Sequence, residues 1–269
     1  MVRVGVLGAG GRMGREVCHA ITDDPELELV AAVDPRLAGI DLRQVTGVDV
    51  GGLQVASGVE ALERAGAQVA VDFTVADAAV GHMRWCAANG VHAVVGTTGI
   101  GEQVLGELRA AFEGSSANCV VAANFAIGAV LMMRFAELAA PFMDGAEIVE
   151  LHHDGKLDAP SGTALHTAER VADAREAAGA APWPGDRTKS EVVAGARGGE
   201  GPGGVRIHSI RLPGLVAHQE VILSAVGQSL TIRHDAYDRS SFMPGMVLAV
   251  KAVAGRPGLT VGLDTLLGF

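Results

Sequence analysis

Short, continuous apolar runs recur through the first part of the chain, with helix-like stretches between them. The runs are Val2–Leu7, Glu28–Asp34, Gln68–Phe73, His92–Val95 and Cys119–Ala122, with helical segments at Met13–Thr22, Asp77–Asn89 and Gly101–Phe112. A strand with little polar alternation must be covered on both faces, and strands that alternate with helices form a parallel sheet with helices packed on either side. The alternation continues to roughly residue 125 and predicts an α/β fold, a Rossmann-like doubly wound parallel sheet.

Ligands of such sheets bind beyond the carboxyl ends of the strands. The residues that follow the strands are therefore the candidates: Gly8–Gly14, Asp34, Thr74, Gly96–Thr97–Thr98–Gly99 and Asn124–Phe125. The loop GAGGRMG at 8–14 can be read as GxGxxG from Gly8 and Gly10, or as GxxGxxG from Gly8, Gly11 and Gly14. In either register the backbone can approach a pyrophosphate at the start of the next helix, where free N–H groups favour negative charge. Asp34 ends the second strand, where a carboxylate can accept from the hydroxyls of an adenosine ribose, which favours NAD. The competing reading makes Asp34 a turn residue before Pro35. Arg36 and Arg12 could each pair with a 2′-phosphate. The expectation is use of both NADH and NADPH, with NADH modestly preferred.

Beyond residue 125 the pattern changes. Ile127–Met143 reads as a long helix, Glu147–His152 as a strand and Thr163–Ala178 as an Ala-rich helix, with 181–204 mostly loop. Val205–Leu212, Leu215–Ser224 and Ser229–Asp235 read as strands joined by short turns at Pro213–Gly214 and 226–228, which predicts antiparallel hairpins. The tail from Ser241 returns to helical periodicity and is expected to pack back on the first domain. The division is thus 1–125 with 241–269 as a dinucleotide-binding domain, and 126–240 as an α+β substrate-binding and oligomerisation domain with a mainly antiparallel sheet.

A net charge of −10 argues against nucleic acid or an anionic membrane as partner. Cys18, Cys86 and Cys119 are far apart and form no CxxC, which argues against a disulfide framework or a structural zinc. The apolar N-terminal run is broken by glycine, so no secretory leader is expected, and no apolar run is long enough to span a bilayer. These features suggest a cytoplasmic protein.

The densest polar segment is ELHHDGKLDAPSGTA at 150–164. His152 and His153 are adjacent on a strand, so their side chains leave opposite faces. They are poorly placed to chelate one metal, and none is expected. Imidazole titrates near pH ~6.5, so either ring could exchange a proton near neutrality. Lys156 adds a cation, Asp158 and Pro160 set a turn, and Ser161 suits the N-cap of the following helix. Gly162 and Thr163 then open that helix, a position suited to a substrate carboxylate. Beside a dinucleotide domain, this segment suggests hydride transfer to a small anionic substrate.

At this point the sequence resembles the 4-hydroxy-tetrahydrodipicolinate reductase (dihydrodipicolinate reductase) family over its whole length. GAGGRMG at 8–14, VDFT at 71–74, GTTG at 96–99, AANFAIG at 122–128 and ELHHDGKLDAPSGTA at 150–164 resemble the family's motifs in the same order. The resemblance implies NAD(P)H-dependent reduction of a cyclic unsaturated dicarboxylate in diaminopimelate and lysine biosynthesis, with hydride delivered to C4 and a proton from the protein. It implies His152 as proton donor/acceptor and Lys156 as proton donor, with His153, Lys156, Ser161, Gly162 and Thr163 holding the substrate. For the cofactor it implies Gly8, Ala9, Gly10, Gly11, Arg12, Met13, Asp34, Arg36, Phe73, Gly96, Thr97, Thr98, Ala122, Ala123, Asn124 and Phe125. It also implies a homotetramer built on the second domain's sheet, and a hinge between domains. Two other readings stand beside it: a two-domain dehydrogenase for another small anionic substrate, and a dinucleotide-binding sensor without turnover. Asp34 stands where many family members carry Glu.

Overall fold

The computed structural model describes every residue, Met1–Phe269. Strand β1 (Val2–Leu7) leads through the glycine loop into helix α1 (Arg12–Asp23), and β2 (Leu27–Val33) returns beside β1. Two short helices, α2 (Leu42–Thr46) and α3 (Ala61–Arg64), precede β3 (Val69–Asp72). Then come α4 (Ala76–Asn89), β4 (His92–Val95), α5 (Glu102–Glu113) and β5 (Cys119–Val121). The strands are parallel neighbours in the order β5-β4-β3-β1-β2. From β1 the chain first adds β2 on one side, then β3, β4 and β5 on the other. The switch point therefore lies between β1 and β3, whose carboxyl ends border the crevice where such sheets take ligands.

β3 and β5 are buried along their whole length, and β4 nearly so, which is why these strands read as unbroken apolar runs. Leu62, Met83, Leu108 and Phe112 pack from the helices onto this core. Cys18, Cys86 and Cys119 are buried and unbridged. Burial pushes the thiols of Cys18 and Cys86 up to about 12, so they serve as small apolar side chains.

The chain continues into a second unit. Helix α6 (Ile127–Ala139) stops where Pro141 sits in a single tighter turn, Ala140–Phe142, so the helix is shorter than the apolar run through Met143 predicts. Strand β6 (Gly145–His152), helix α7 (Gly162–Ala177), the two-residue β7 (Gly199–Glu200), β8 (Arg206–Arg211), β9 (Ala217–Ala225) and β10 (Gln228–Ala236) follow. The sheet order is β10-β9-β6-β8-β7. The Pro213–Gly214 turn does not close a hairpin, contrary to the expectation from its residue types. β8 pairs in parallel with β6, and β9 pairs antiparallel with β6 on its other side. β9 and β10 do form a hairpin, registered from Ala225↔Gln228 to Ala217↔Ala236. The sheet is therefore mixed, with one parallel pair among antiparallel ones. Helices α6 and α7 cover one of its faces.

The tail returns to the first unit. Helix α8 (Met243–Ala252) packs on α1. β11 (Leu259–Val261), which the sequence reading missed, adds to β5 as a sixth parallel strand. The two compact units are Met1–Ala126 with Arg239–Phe269, and Ile127–Asp238. No helix is long and apolar enough to cross a membrane.

Candidate active site

The first cluster lies at the carboxyl ends of β1 to β5. Among the glycines of the two registers read from sequence, Gly8 and Gly14 are the ones the backbone constrains most. Gly8 turns the chain with φ of 80°. A β-carbon at Gly10 would come 2.7 Å from Asp34 Oδ2, and one at Gly14 would come 2.0 Å from the Gly8 carbonyl oxygen. Backbone contact thus reserves position 14 for glycine and a positive φ favours it at 8, whereas at Gly10 the near atoms are the ends of the Leu37 and Asp34 side chains, and at Gly11 a β-carbon would lie 3.2 Å from the Gly8 oxygen. Gly11 is the N-cap of α1 and offers no side-chain cap, so the N–H groups of the first turn lack that partner. A twelve-residue helix begins at this bare end, which is the environment an anionic pyrophosphate needs.

Asp34 is buried, and its Oδ1 accepts from the Arg36 backbone N–H at 3.1 Å, capping the turn Pro35–Leu37. The turn role weighed in the sequence is therefore real, but it occupies Oδ1, and Oδ2 faces the Gly10 backbone. Arg36 Nε lies 3.7 Å from Asp34 with its side chain 87% exposed, a contact of little energetic weight. Arg12 is exposed at the start of α1. Close backbone, a bare helix start and a carboxylate at the second strand's end together fit a dinucleotide.

Asp72, which sequence reasoning quoted within VDFT without a role, organises the next part. Its Oδ1 accepts from the Thr74 backbone N–H at 2.8 Å and the Thr74 hydroxyl at 2.6 Å. The Thr97 hydroxyl donates to the Thr74 carbonyl at 3.3 Å and lies 3.5 Å from the same Oδ1. Its Oδ2 pairs with His82 Nδ1 at 2.7 Å. One buried carboxylate thereby joins the loops after β3 and β4. They enclose, with Met13 and Phe73, a cavity of about 370 Å³ whose walls include Gly96 and Thr98. Phe73 packs at a tilt on Phe125, ring centroids 5.9 Å apart. Asn124 Oδ1 accepts from the Ala126 N–H and shapes the loop after β5. Ala122 and Phe125 are buried, whereas Ala123 is exposed.

The second cluster lies in the other unit, at the carboxyl end of β6. Glu150 and His152 are two apart on the strand, hence on one face. Glu150 is fully buried. It accepts from His152 Nδ1 at 2.5 Å, from Arg211 Nη1 and Nη2 at 2.9 and 2.7 Å, and from the Ser161 backbone N–H at 3.1 Å. Burial alone would raise the Glu150 carboxyl, but hydrogen bonds from His152, Arg211 and Ser209 outweigh it and hold the group down to about 2. An ionised carboxylate only accepts, so His152 carries its proton on Nδ1 and keeps Nε2 for exchange.

His153, the adjacent residue, is exposed. Lys156 Nζ donates to both carboxylate oxygens of Asp158, at 2.7 and 2.8 Å, so Asp158 holds the ammonium. Ser161 caps α7, accepting from Ala164 N–H at 3.2 Å, while its own N–H goes to Glu150. Gly162 and Thr163 open the helix, as its N-cap residue predicts. The sequence reading missed Arg211. Its register partner on the parallel neighbour strand is His152, and that pairing was the only available signal.

A doubly wound sheet with a glycine cradle and a strand-end acid, joined in one chain to a sheet unit carrying a carboxylate-held histidine, defines a two-unit dinucleotide-dependent oxidoreductase. Family models described as "Dihydrodipicolinate reductase, N-terminus" and "Dihydrodipicolinate reductase, C-terminus" match residues 2–125 and 128–267. The chain belongs to the dihydrodipicolinate reductase family. It is 47% identical over the full length of both chains to a 4-hydroxy-tetrahydrodipicolinate reductase of Corynebacterium urealyticum. It is 48% identical, over 99% of this chain and 98% of the relative, to one from Nocardia farcinica. Among solved structures it is similar to a dipicolinate-bound dihydrodipicolinate reductase from Paenisporosarcina sp. TG-14, with a TM-score of 0.85, 39% identity and coverage of 98% and 99%. The cofactor of such an enzyme is a nicotinamide dinucleotide.

Proposed function

We propose that this chain reduces 4-hydroxy-tetrahydrodipicolinate, through its dehydrated form, to tetrahydrodipicolinate in diaminopimelate and lysine biosynthesis. The observation that carries the catalytic part of the proposal is the His152 ring, held through Nδ1 by a buried carboxylate beside a helix start suited to a carboxylate. Bound nicotinamide dinucleotide supplies a hydride. What falls to the chain is the proton and the grip on a dianionic ring. His152 exchanges the proton through Nε2, with Lys156 as a second donor once its ammonium turns from Asp158 to the substrate. The amides of Gly162 and Thr163, with His153 and the Ser161 hydroxyl, hold the carboxylates.

On the cofactor side, the Gly8–Met13 loop takes the pyrophosphate, Asp34 the ribose, and the Thr97–Thr98 loop with Phe73 and the segment Ala122–Phe125 the nicotinamide end. Asp34 favours NADH, and exposed Arg36 and Arg12 admit a 2′-phosphate, so both cofactors are used with NADH modestly preferred. A hundredfold preference for NADPH would contradict this. The uncovered face of the second sheet, with Val149, Leu151, Ile210 and Ile222 among paired charges, is the surface through which copies assemble, as a tetramer.

Steady-state kinetics of His152→Ala and Lys156→Ala test these roles. Each variant should lose roughly 10²- to 10⁴-fold in kcat while the KM for NADH stays nearly constant. Wild-type rates in both would refute the assigned roles.

A further inference from the structure

We propose that Glu150, kept ionised by Arg211, is the positioning residue of this site: it fixes the His152 tautomer and sets the loop that carries Lys156. The inference rests on the reading of His152 as the proton-exchanging group and adds the residues that make it competent.

Three separate segments converge on this one carboxylate. His152 comes from the same strand, Arg211 from the end of β8, and the Ser161 N–H from the start of α7. Arg211 goes further. Its Nη2 also donates to the Asp158 carbonyl at 2.8 Å, and Asp158 in turn holds Lys156. The position of the imidazole, the lysine loop and the helix start are therefore all referred to Glu150.

The order of cause is physical. A carboxylate with no exposed surface and no cation beside it would protonate, because burial penalises the charged form. A protonated Glu150 could donate to Nδ1 as easily as accept from it, and the ring could then carry its proton on either nitrogen. The paired Nη groups of Arg211 remove that freedom: the carboxylate stays charged, Nδ1 stays protonated, and Nε2 is left to exchange. The other charged or titratable groups on the loop after β6 are His153, Asp154, Lys156 and Asp158. Asp158 neutralises Lys156 there.

Two readouts separate positioning from mere support of the fold. The first is steady-state kinetics of Glu150→Gln. A glutamine keeps the size but can donate or accept, so kcat should fall roughly 10- to 10³-fold while the KM for NADH changes less than about twofold. The second is nitrogen NMR of the imidazoles, with the His152 signals assigned by their loss in His152→Ala. The wild type should show the single Nδ1–H tautomer, and Glu150→Gln a mixture. Because Glu150→Gln leaves Arg211 buried without its partner, the double variant Glu150→Gln/Arg211→Met is measured in parallel. It should fold and still show the mixed tautomer and the lowered kcat. A wild-type tautomer or a wild-type kcat in the folded double variant overturns the proposal. Failure of the His152 reading itself looks different: His152→Ala would keep its rate, while the ring nitrogens would still report whether Glu150 fixes them.

Discussion

At the scale of single residues, Glu150 is the group of the candidate site whose ionisation bears most directly on stability. Its carboxyl is depressed from 4.5 to about 2. A depressed folded-state value means the stabilisation is fully present above pH ~4.5 and is lost as pH falls toward ~2. The shift corresponds to about 3 kcal/mol. Urea midpoints at pH 6, 4 and 3 should fall more steeply for the wild type than for Glu150→Gln/Arg211→Met, and equal slopes would show that the pair does not drive acid sensitivity. Asp34 allows a second test at this scale. Asparagine keeps the cap of the Pro35–Leu37 turn but removes the charge, so Asp34→Asn should raise the NADPH-to-NADH ratio of kcat/KM by roughly tenfold. An unchanged ratio would leave Asp34 as a turn residue alone. The candidate residues at strand ends were legible in sequence because a strand's end is marked locally. Arg211 was not legible: it lies 61 positions from Glu150, and only strand pairing brings them together. Asp72 stood in a quoted motif, but nothing local shows that it also reaches Thr97 and His82.

At the scale of elements, the α1 start depends on backbone meeting backbone. A β-carbon at Gly14 would lie 2.0 Å from the Gly8 oxygen, and no side-chain rotation can relieve that clash. Gly14→Ala should therefore lower stability by about 2–4 kcal/mol and weaken NADH binding at least tenfold, measured by denaturant melts and dinucleotide titration. An alanine variant with native stability would mean that α1 is not seated on the loop. The parallel strands were readable because burial on both faces leaves unbroken apolar runs. The order β9-β6-β8 was not, because the Pro213–Gly214 turn has hairpin chemistry while the register is set by pairing with β6. β11 is only three residues long, too short for any period to announce it.

At the scale of the whole molecule, one face of the second sheet is covered by α6 and α7, and the other presents partly exposed Val149, Leu151, Ile210 and Ile222. The proposed assembly uses this half-apolar face, which fits a self-complementary contact between two copies. Val149→Asp should convert the proposed tetramer to smaller species in light scattering at micromolar concentration, and a monomeric wild type would dispose of the proposal.

The central claim is that the chain turns over as a reductase. The direct test follows absorbance at the nicotinamide band, with substrate made in situ from pyruvate and aspartate semialdehyde, and NADH and NADPH run in parallel. The account predicts substrate-dependent oxidation of both, somewhat faster with NADH. Binding of NADH without oxidation of either cofactor would contradict it and leave a dinucleotide-binding sensor or a dehydrogenase for another substrate.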